Sequence, residues 1–425
     1  MTKHCAIVGI NWGDEGKGRM VDLIARDYDV VVRYQGGSNA GHTVVNEYGK
    51  FALHLIPSGI FSKGVINVLG NGVVVNPESL WGEIESLRAA GVSVTPENLK
   101  ISDRATIVFP YHIRMDQLEE QRLKDKKYGS TLRGIAPVYS DKYQKKTIMM
   151  GELQYPAYLE KRLKSILDWK NLIITGVYGA EPSSYDETLA WIKEYGGKLA
   201  PFLCDATQVL TQAEKDGKRI LFEAQLGALR DIDFGIFPYT TSSSTIAGFA
   251  CSGSGIPGSR VDRVVGVVKA YSTCVGEGPF TAEWQGEEAE KLREAGGEYG
   301  ASTGRPRRVG PIDLVATRYG CTIQGATEIA LTKLDVLSYM EEIPVCVAYE
   351  IHGERTEEFP FPALLDEAKP VYETLKGWNC DISKIRTFEE LPKEAQEYVL
   401  FVERGIGCPT TYVSVGAGRD ELIRR

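Results

Sequence analysis

Long apolar runs are missing from this chain. Residues 6–10 run straight into a polar, glycine-rich turn, and residues 65–75 are interrupted by Asn67, Gly70, Asn71 and Gly72. Neither stretch approaches the roughly 20 apolar residues that span a bilayer, and the first is too short for the core of a secretory signal, so no membrane partner is expected. Paired cysteines are missing as well. The eight cysteines, at positions 5, 204, 251, 274, 321, 346, 380 and 408, lie far apart and form no CxxC. That excludes the usual zinc and disulfide frameworks and leaves reduced, mostly buried thiols, the pattern of a cytoplasmic protein. Nor is there an excess of positive charge: 49 Lys and Arg stand against 57 Asp and Glu, a net charge of −8. An acidic surface repels a phosphate backbone, which argues against a nucleic-acid partner.

Repeats, low-complexity tracts and Pro/Ser-rich linkers are also absent, so residues 1–425 are expected to form one compact unit with lobes. Short apolar runs at 5–10, 29–34, 65–69 and 73–75 predict strands. Val30-Val31-Val32 has the continuous β-branched character of a strand buried on both faces. Helical spacing follows at 77–90, 112–127, 157–170, 186–195 and 204–214. Further strands are expected at 219–222, 264–270, 329–331, 345–351 and 410–415, with a helix at 393–404. Strands alternating with helices predict an α/β fold, a single large domain with a mostly parallel central sheet and inserted helical material.

Several loops carry chemistry. The turn Gly13-Asp14-Glu15-Gly16-Lys17-Gly18-Arg19 follows the first strand and opens a helical pattern at 20–25. Glycines there let backbone N–H groups converge on an anion, helped by the helix dipole. The Ser or Thr that holds magnesium in a Gly-x-x-x-x-Gly-Lys-Ser/Thr loop is replaced by Gly18, which leaves Asp14 as the candidate metal ligand or base. The second strand ends in Gly36-Gly37-Ser38-Asn39-Ala40-Gly41-His42-Thr43. His42, one of five histidines, sits among small residues and suits a hydrogen-bond or proton donor to phosphate. The other four, His4, His54, His112 and His352, read as structural. Thr332-Lys333-Leu334-Asp335 follows an apolar run. A lysine stem on a purine face with a carboxylate taking two N–H groups is a guanine-selective arrangement. Gly304-Arg305-Pro306-Arg307-Arg308 suits carboxylate or phosphate recognition. The hydroxyl-rich stretch 237–244 suits a phosphate or a plain surface turn.

Together these residues resemble the adenylosuccinate synthetase family. The likeness runs from Asn11-Trp12-Gly13-Asp14-Glu15-Gly16-Lys17-Gly18 through Val32-Arg33-Tyr34-Gln35-Gly36-Gly37, His54-Leu55-Ile56-Pro57-Ser58-Gly59-Ile60 and Lys269-Ala270-Tyr271-Ser272-Thr273 to Ser414-Val415-Gly416. The resemblance implies a P-loop-NTPase-like fold and a GTP-dependent ligase of purine synthesis. Such an enzyme joins L-aspartate to IMP through a 6-phosphoryl intermediate, with Mg2+ as cofactor.

The resemblance also implies residue roles. Asp14, His42 and Lys17 would be catalytic, and Asp14 with the Gly41 carbonyl would hold the metal. GTP would meet Gly13, Asp14, Glu15, Gly16, Lys17, Gly18, Arg19, Gly41, His42, Thr43, Arg307, Lys333, Leu334, Asp335, Ser414, Val415 and Gly416. IMP would meet Asp14–Lys17, Asn39, Ala40, Gly41, His42, Thr131, Gln225, Leu226, Thr241 and Arg305, with Lys145 reaching across from the second subunit of a homodimer. Aspartate would lie on Ala301, Ser302, Thr303, Gly304, Arg305 and Arg307.

Four positions depart from the family pattern. Leu132 stands in Thr131-Leu132-Arg133-Gly134 where the family has glycine. Lys145 and Pro306 each replace an arginine. In Glu223-Ala224-Gln225-Leu226-Gly227, ungapped register puts Leu226 in place of a purine-contacting glutamine, unless Gln225 takes that role after a local shift. Two other readings therefore stay open: the same chemistry on a 2-amino purine nucleotide such as GMP or dGMP, or a GTP-binding regulatory protein whose catalysis has decayed.

Overall fold

The structure is a computed structural model that describes residues 4–39, 41–299, 304 and 306–425. Ten strands form its main sheet: β1 (His4–Gly9), β2 (Val30–Arg33), β3 (Ile66–Leu69), β4 (Leu99–Ser102), β5 (Leu203–Cys204), β6 (Ile220–Glu223), β7 (Arg263–Lys269), β8 (Glu328–Thr332), β9 (Thr410–Ser414) and β10 (Leu422–Arg424). The spatial order is β10-β9-β8-β7-β1-β6-β2-β3-β4-β5. All neighbours run parallel except β9 and β10 at one edge.

The two-residue period of the strands explains how both faces are buried. Along β1, Ala6 and Val8 face one core, with Val30, Val32 and Phe222. Cys5 and Ile7 face the other, with Val31 and the apolar side of helix α1 (Lys17–Ile24), namely Met20, Val21 and Ile24. A third core joins the helices Pro77–Ala89, Pro110–Leu123, Pro156–Gly176 and Tyr185–Leu199 beyond the β3–β4 side of the sheet.

Three expectations change. The strand predicted at 345–351 is Glu342–Ile351 and lies outside the main sheet. It forms an antiparallel sheet with Glu354–Thr356 and Lys369–Lys376. Residues 73–75 yield the short strand Val74–Val75, paired with Thr106–Ile107. The helix expected from 204 begins at Ala206, because Asp205 caps it by accepting the N–H of Gln208, while Cys204 belongs to β5. Among the described residues the cysteines are free, and only Cys380 is exposed.

One buried cap carries a stability prediction. Asp313 starts the helix Leu314–Gln324, accepting the N–H of Ala316 at 3.0 Å and the hydroxyl of Tyr349 at 2.6 Å. Burial pushes its carboxyl up to about 6, against those hydrogen bonds. A carboxyl raised in the folded state binds more protons there than in the unfolded chain, so its contribution to stability falls as pH rises from about 4 to about 6. Asp313→Ala is expected to cost about 1–2 kcal/mol at pH 7. Asp313→Asn keeps the cap and flattens stability across that pH window. Urea unfolding at pH 4.5 and 7 checks both.

Candidate active site

In a parallel sheet the loops that follow the strands meet at the carboxyl edge, on either side of the point where the chain reverses its direction of winding. Here β1 occupies that point, between β7 and β6. The turns after β1, β2, β6, β8 and β9 share that edge, and they carry most of the residues singled out above.

The turn after β1 is built around its own carboxylate. Gly13 and Gly16 adopt φ of 103° and 102°, with Asp14 at 60°. Glu15 folds inward and accepts the N–H groups of Asn11 and Gly13 at 3.1 and 2.8 Å. Its second oxygen takes the Lys17 ammonium at 2.7 Å, with both side chains 2% exposed. Glu15 therefore braces the turn from within. Asp14 faces the opposite way and meets Arg307 at 3.0 Å. Thr332, the last residue of β8, donates to the Glu15 carbonyl at 2.7 Å, which fastens the turn to the guanine-type motif.

The chain after β2 brings His42 onto α1. A Cβ on Gly18 would sit 2.5 Å from the Cβ of His42, so only glycine allows this approach. His42 opens the strand His42–Asn46, paired antiparallel with Gly49–Leu53. Its Nδ1 lies 2.5 Å from Glu223, the last residue of β6. Glu223 also accepts the N–H and the hydroxyl of Ser58, each at 2.8 Å. The His42 Nε2 is buried without a protein hydrogen-bond partner. Burial holds the imidazole below the ordinary histidine range, reinforced by the charges of Arg33 and Lys17 and opposed by Glu223. Burial alone would raise Glu223, but His42, Arg33 and the Ser58 amide outweigh it and keep the group ionised. The pair is thus a neutral imidazole that donates Nδ1–H to a carboxylate and leaves Nε2 for an incoming group. This arrangement fixes the tautomer and raises the basicity of the free nitrogen.

A third corner lies where β8 and β9 end. Leu334 is buried, and one carboxylate oxygen of Asp335 is buried without a partner. Burial pushes the Asp335 carboxyl above the usual range, against the opposing charges of Lys333 and Arg19. Arg19, on α1, donates to the Ser414 hydroxyl and to the carbonyl of Gly418 at 2.6 Å. Ser414 in turn donates to the Gly416 carbonyl at 2.9 Å, and Val415 is buried beside it. A desolvated, unpaired carboxylate oxygen is costly, and two N–H groups of a guanine edge would satisfy it.

Gln225 does not project into the site. Its amide donates to the Gly37 carbonyl at 2.6 Å, and its oxygen accepts the Gly37 N–H at 3.2 Å. Gly36 makes room for it at φ 78°, where any Cβ would collide with the Gln225 oxygen. The half-buried residue at this turn is Leu226, held at φ 59° with its backbone against Gly13. Of the two neighbours, Gln225 is tied to Gly37 and Leu226 is left half-buried at the turn. Asn39 closes its own turn on the Gly37 N–H at 3.2 Å. Thr241 donates its backbone N–H to the Arg230 carbonyl and keeps its hydroxyl buried and unpartnered. Thr131 and Lys145 are exposed, Lys145 at the C-terminal end of the helix Ile135–Gln144. Thr43 is exposed beside His42 and Gly41 is half-buried. Gly304 is exposed at φ 64°. Ala40, Ala301, Ser302, Thr303 and Arg305 lie outside the described residues.

Residues without an expected functional role complete the site. Glu223 stands at the end of the apolar run Ile220-Leu221-Phe222, where a carboxylate at the carboxyl edge of a parallel strand was the available signal. Arg33 is buried and donates to the His54 carbonyl at 2.9 Å. The His54 ring lies against Gly41, closer to the site than a purely structural reading implied. His112 is structural as expected, buried against Asp141 at 2.9 Å.

Among the described residues no three His, Cys, Asp or Glu side chains cluster as a metal cage. The expected donors, one carboxylate at Asp14 and one carbonyl at Gly41, fit an ion that takes most of its oxygens from a nucleotide's phosphates, the habit of Mg2+.

A parallel sheet with a glycine turn opening a helix, a carboxylate-backed histidine and a desolvated, unpartnered carboxylate oxygen on one edge is the build of a nucleotide-binding α/β enzyme. The family profile of adenylosuccinate synthetase matches residues 6–423. An adenylosuccinate synthetase of Caldanaerobacter subterraneus is 47% identical over 98% of both chains, and one of Streptomyces coelicolor is 47% identical over 98% of this chain and 97% of its own. The solved structure of fully ligated adenylosuccinate synthetase from Plasmodium falciparum covers both chains completely, with TM-score 0.93 and 38% identity. The chain belongs to the adenylosuccinate synthetase family. It is a ligase that couples GTP to the joining of L-aspartate and IMP in purine biosynthesis.

Proposed function

We propose that the reaction runs between Asp14 and His42. Asp14 takes the N1 proton of IMP, and the resulting 6-oxyanion attacks the γ-phosphorus of GTP. The bond from that phosphorus to the β–γ bridging oxygen breaks, GDP leaves, and a 6-phosphoryl group remains on the purine. The aspartate amine then attacks C6, phosphate departs and the amine loses a proton. His42 serves the first step: as the triphosphate arrives, its negative charge favours a protonated imidazole, and Nε2–H donates to phosphate while Glu223 stabilises the cation. Lys17 and the amides of residues 14–18 neutralise phosphate charge, the main protein task in phosphoryl transfer. Asp14 and the Gly41 carbonyl would hold Mg2+, which when bound offsets charge on the transferring phosphoryl group. Arg307 serves the aspartate and GTP sides, and Asn39, Thr131 and Thr241 serve IMP.

The observation that carries this reading is the open, buried Nε2 of His42 on Gly18, one helical turn from the loop that presents Asp14. Phosphate release tests it. Release should need GTP, IMP and aspartate together and match adenylosuccinate formed. Release indifferent to aspartate would point to a regulatory GTPase instead. The same assay compares IMP with GMP. Leu226 removes a polar contact from the purine wall, and preference for GMP would overturn IMP as the substrate.

Lys333, Leu334, Asp335, Ser414 and Gly416 hold guanine in this proposal, on the strength of the orphaned Asp335 oxygen. Asp335→Asn is expected to reduce the preference for GTP over ITP about tenfold or more, because the amide cannot accept two N–H groups. Steady-state kcat/KM for both triphosphates reads this, and unchanged selectivity would remove Asp335 from the base site.

We also place the enzyme in the cytoplasm as a homodimer. The free cysteines and the lack, among the described residues, of any helix long and apolar enough to cross a membrane agree with that location. Next to Lys145, Tyr143 is 83% exposed. The helix Pro156–Gly176 packs beside this stretch through Lys146 over Trp169 at 3.3 Å and exposes Tyr158 and Leu172. Such an apolar surface suits a second copy of the chain. Sedimentation velocity at micromolar concentration should give a dimer, and a monomer would contradict it.

A further inference from the structure

Glu298 is fully buried and is the meeting point of four side chains. One carboxylate oxygen accepts from Lys333 at 2.7 Å, Lys269 at 2.9 Å and the Tyr271 hydroxyl at 2.5 Å. The other accepts from Arg307 at 2.7 Å, and a second nitrogen of Arg307 reaches Asp14 at 3.0 Å. The backbone repeats the connection. Arg307 donates its N–H to the Glu298 carbonyl at 2.9 Å, Tyr299 bridges Pro306, and the Lys333 ammonium also bonds the Gly296 carbonyl at 2.7 Å. Glu298 and Arg307 thus clamp together the two flanks of the segment that carries the aspartate motif. The same carboxylate holds the lysine of the guanine motif.

Its surroundings mark this carboxylate as permanently charged. Burial by itself would neutralise it, but Lys269, Lys333 and Arg307 outweigh burial and hold it well below the usual carboxylate range. Lys269 is pushed down to about 8 by burial, against the pull of Glu298. Lys269 and Tyr271 anchor the carboxylate from the core, on β7 and the strand Tyr271–Cys274. Lys333 is half-buried and reaches it from the guanine corner, while Arg307 reaches it from the aspartate motif. A shift of either of these two partners changes the charge balance felt by the other.

We infer that Glu298 is a positioning residue that couples the guanine pocket to Arg307. A base seated on Lys333 redistributes the hydrogen bonds of Glu298 and thereby sets Arg307 for aspartate. The inference rests on the assignment of Lys333 to guanine and of Arg307 to aspartate made above. It predicts that GDP and aspartate bind cooperatively on the IMP complex, and that the cooperativity passes through this carboxylate.

Calorimetric titration of aspartate into the IMP-bound enzyme, with and without GDP and Mg2+, measures the coupling without turnover. GDP should tighten aspartate binding about tenfold in the native chain. In Glu298→Gln, which keeps a hydrogen-bonding side chain and loses the charge, the factor should fall to near one, with aspartate and GDP each still binding alone. Tyr271→Phe, at a residue with no ligand role, keeps the ring, removes one hydrogen bond to Glu298 and should also lower the factor. It keeps Glu298 with Lys269, Lys333 and Arg307, so it decides the matter if Glu298→Gln does not fold. Undiminished coupling in the folded variants, or no coupling in the native chain, would overturn the inference and leave the ligase reaction untouched. Loss of aspartate-dependent turnover in the native chain is the separate result that would overturn the proposed function.

Discussion

Asp14→Asn is expected to lower kcat on the order of 10³–10⁴-fold, the scale of a lost general base, with little change in KM for IMP or aspartate. The substitution is nearly isosteric. The backbone at φ 60° suits asparagine at least as well as aspartate, so the turn after β1 keeps its shape. Glu15, not Asp14, accepts the amides that brace that turn. The loss is therefore confined to what a carboxylate does and an amide cannot: accept the N1 proton, offer a charged oxygen to the metal and pair its charge with Arg307. Initial-rate kinetics at saturating GTP reads it. A decrease carried mainly by KM would mean that Asp14 binds substrate without taking a proton. Retention of near-native kcat would remove it as the base.

Glu223→Gln has the second-largest expected effect, about 10²–10³-fold in kcat, smaller than loss of the aspartate in a Ser-His-Asp triad. Glutamine fills the same space but no longer offers His42 Nδ1–H a charged acceptor, and it removes the anion that stabilises the imidazolium. Burial, Arg33 and Lys17 already disfavour the protonated ring, and Glu223 is the group that opposes them. Without it the His42 pKa falls, the protonated fraction at neutral pH shrinks, and activity should partly recover as pH is lowered. The pH profile of kcat thus separates this role from simple misfolding: its basic limb should shift to lower pH. An unshifted profile with reduced amplitude would assign Glu223 to structure alone, through Ser58 and Arg33.

The strands that position the site were legible because their chemistry is local. Val30-Val31-Val32 reads as a strand buried on both faces, and it packs into two different cores. The two glycine turns were legible for the same reason, since positive φ and close approach demand particular residues there. What escaped depends on distant partners. Residues 345–351 have strand character, but pairing with Lys369–Lys376 takes them out of the parallel sheet. The helix Leu314–Gln324 is buried on most of its surface, and its buried face includes the polar Thr317 and Gln324, which blurs the apolar pattern. The helix Gly286–Gly296 is framed by glycines that lower its intrinsic signal.

Glu223 heads one of the family-like stretches and Glu298 lies in none; neither has an expected role, yet each carboxylate organises residues that do. Glu223 is 181 residues from His42 in sequence and 2.5 Å away in space. No pattern of spacing announces such a pair. The difference between Gln225 and Leu226 also depends on the fold, because the buried bonds that occupy Gln225 come from Gly37, far away in sequence.

Positional isotope exchange tests most directly whether Asp14 and His42 work on one phosphoryl group. GTP labelled with oxygen-18 at the β–γ bridge is incubated with enzyme and IMP, without aspartate. Native enzyme should scramble the label into non-bridging β positions only when IMP is present, since cleavage waits for the 6-oxyanion, and Asp14→Asn should not scramble it even then. Scrambling in Asp14→Asn at the native rate, or equally fast without IMP, would contradict the account.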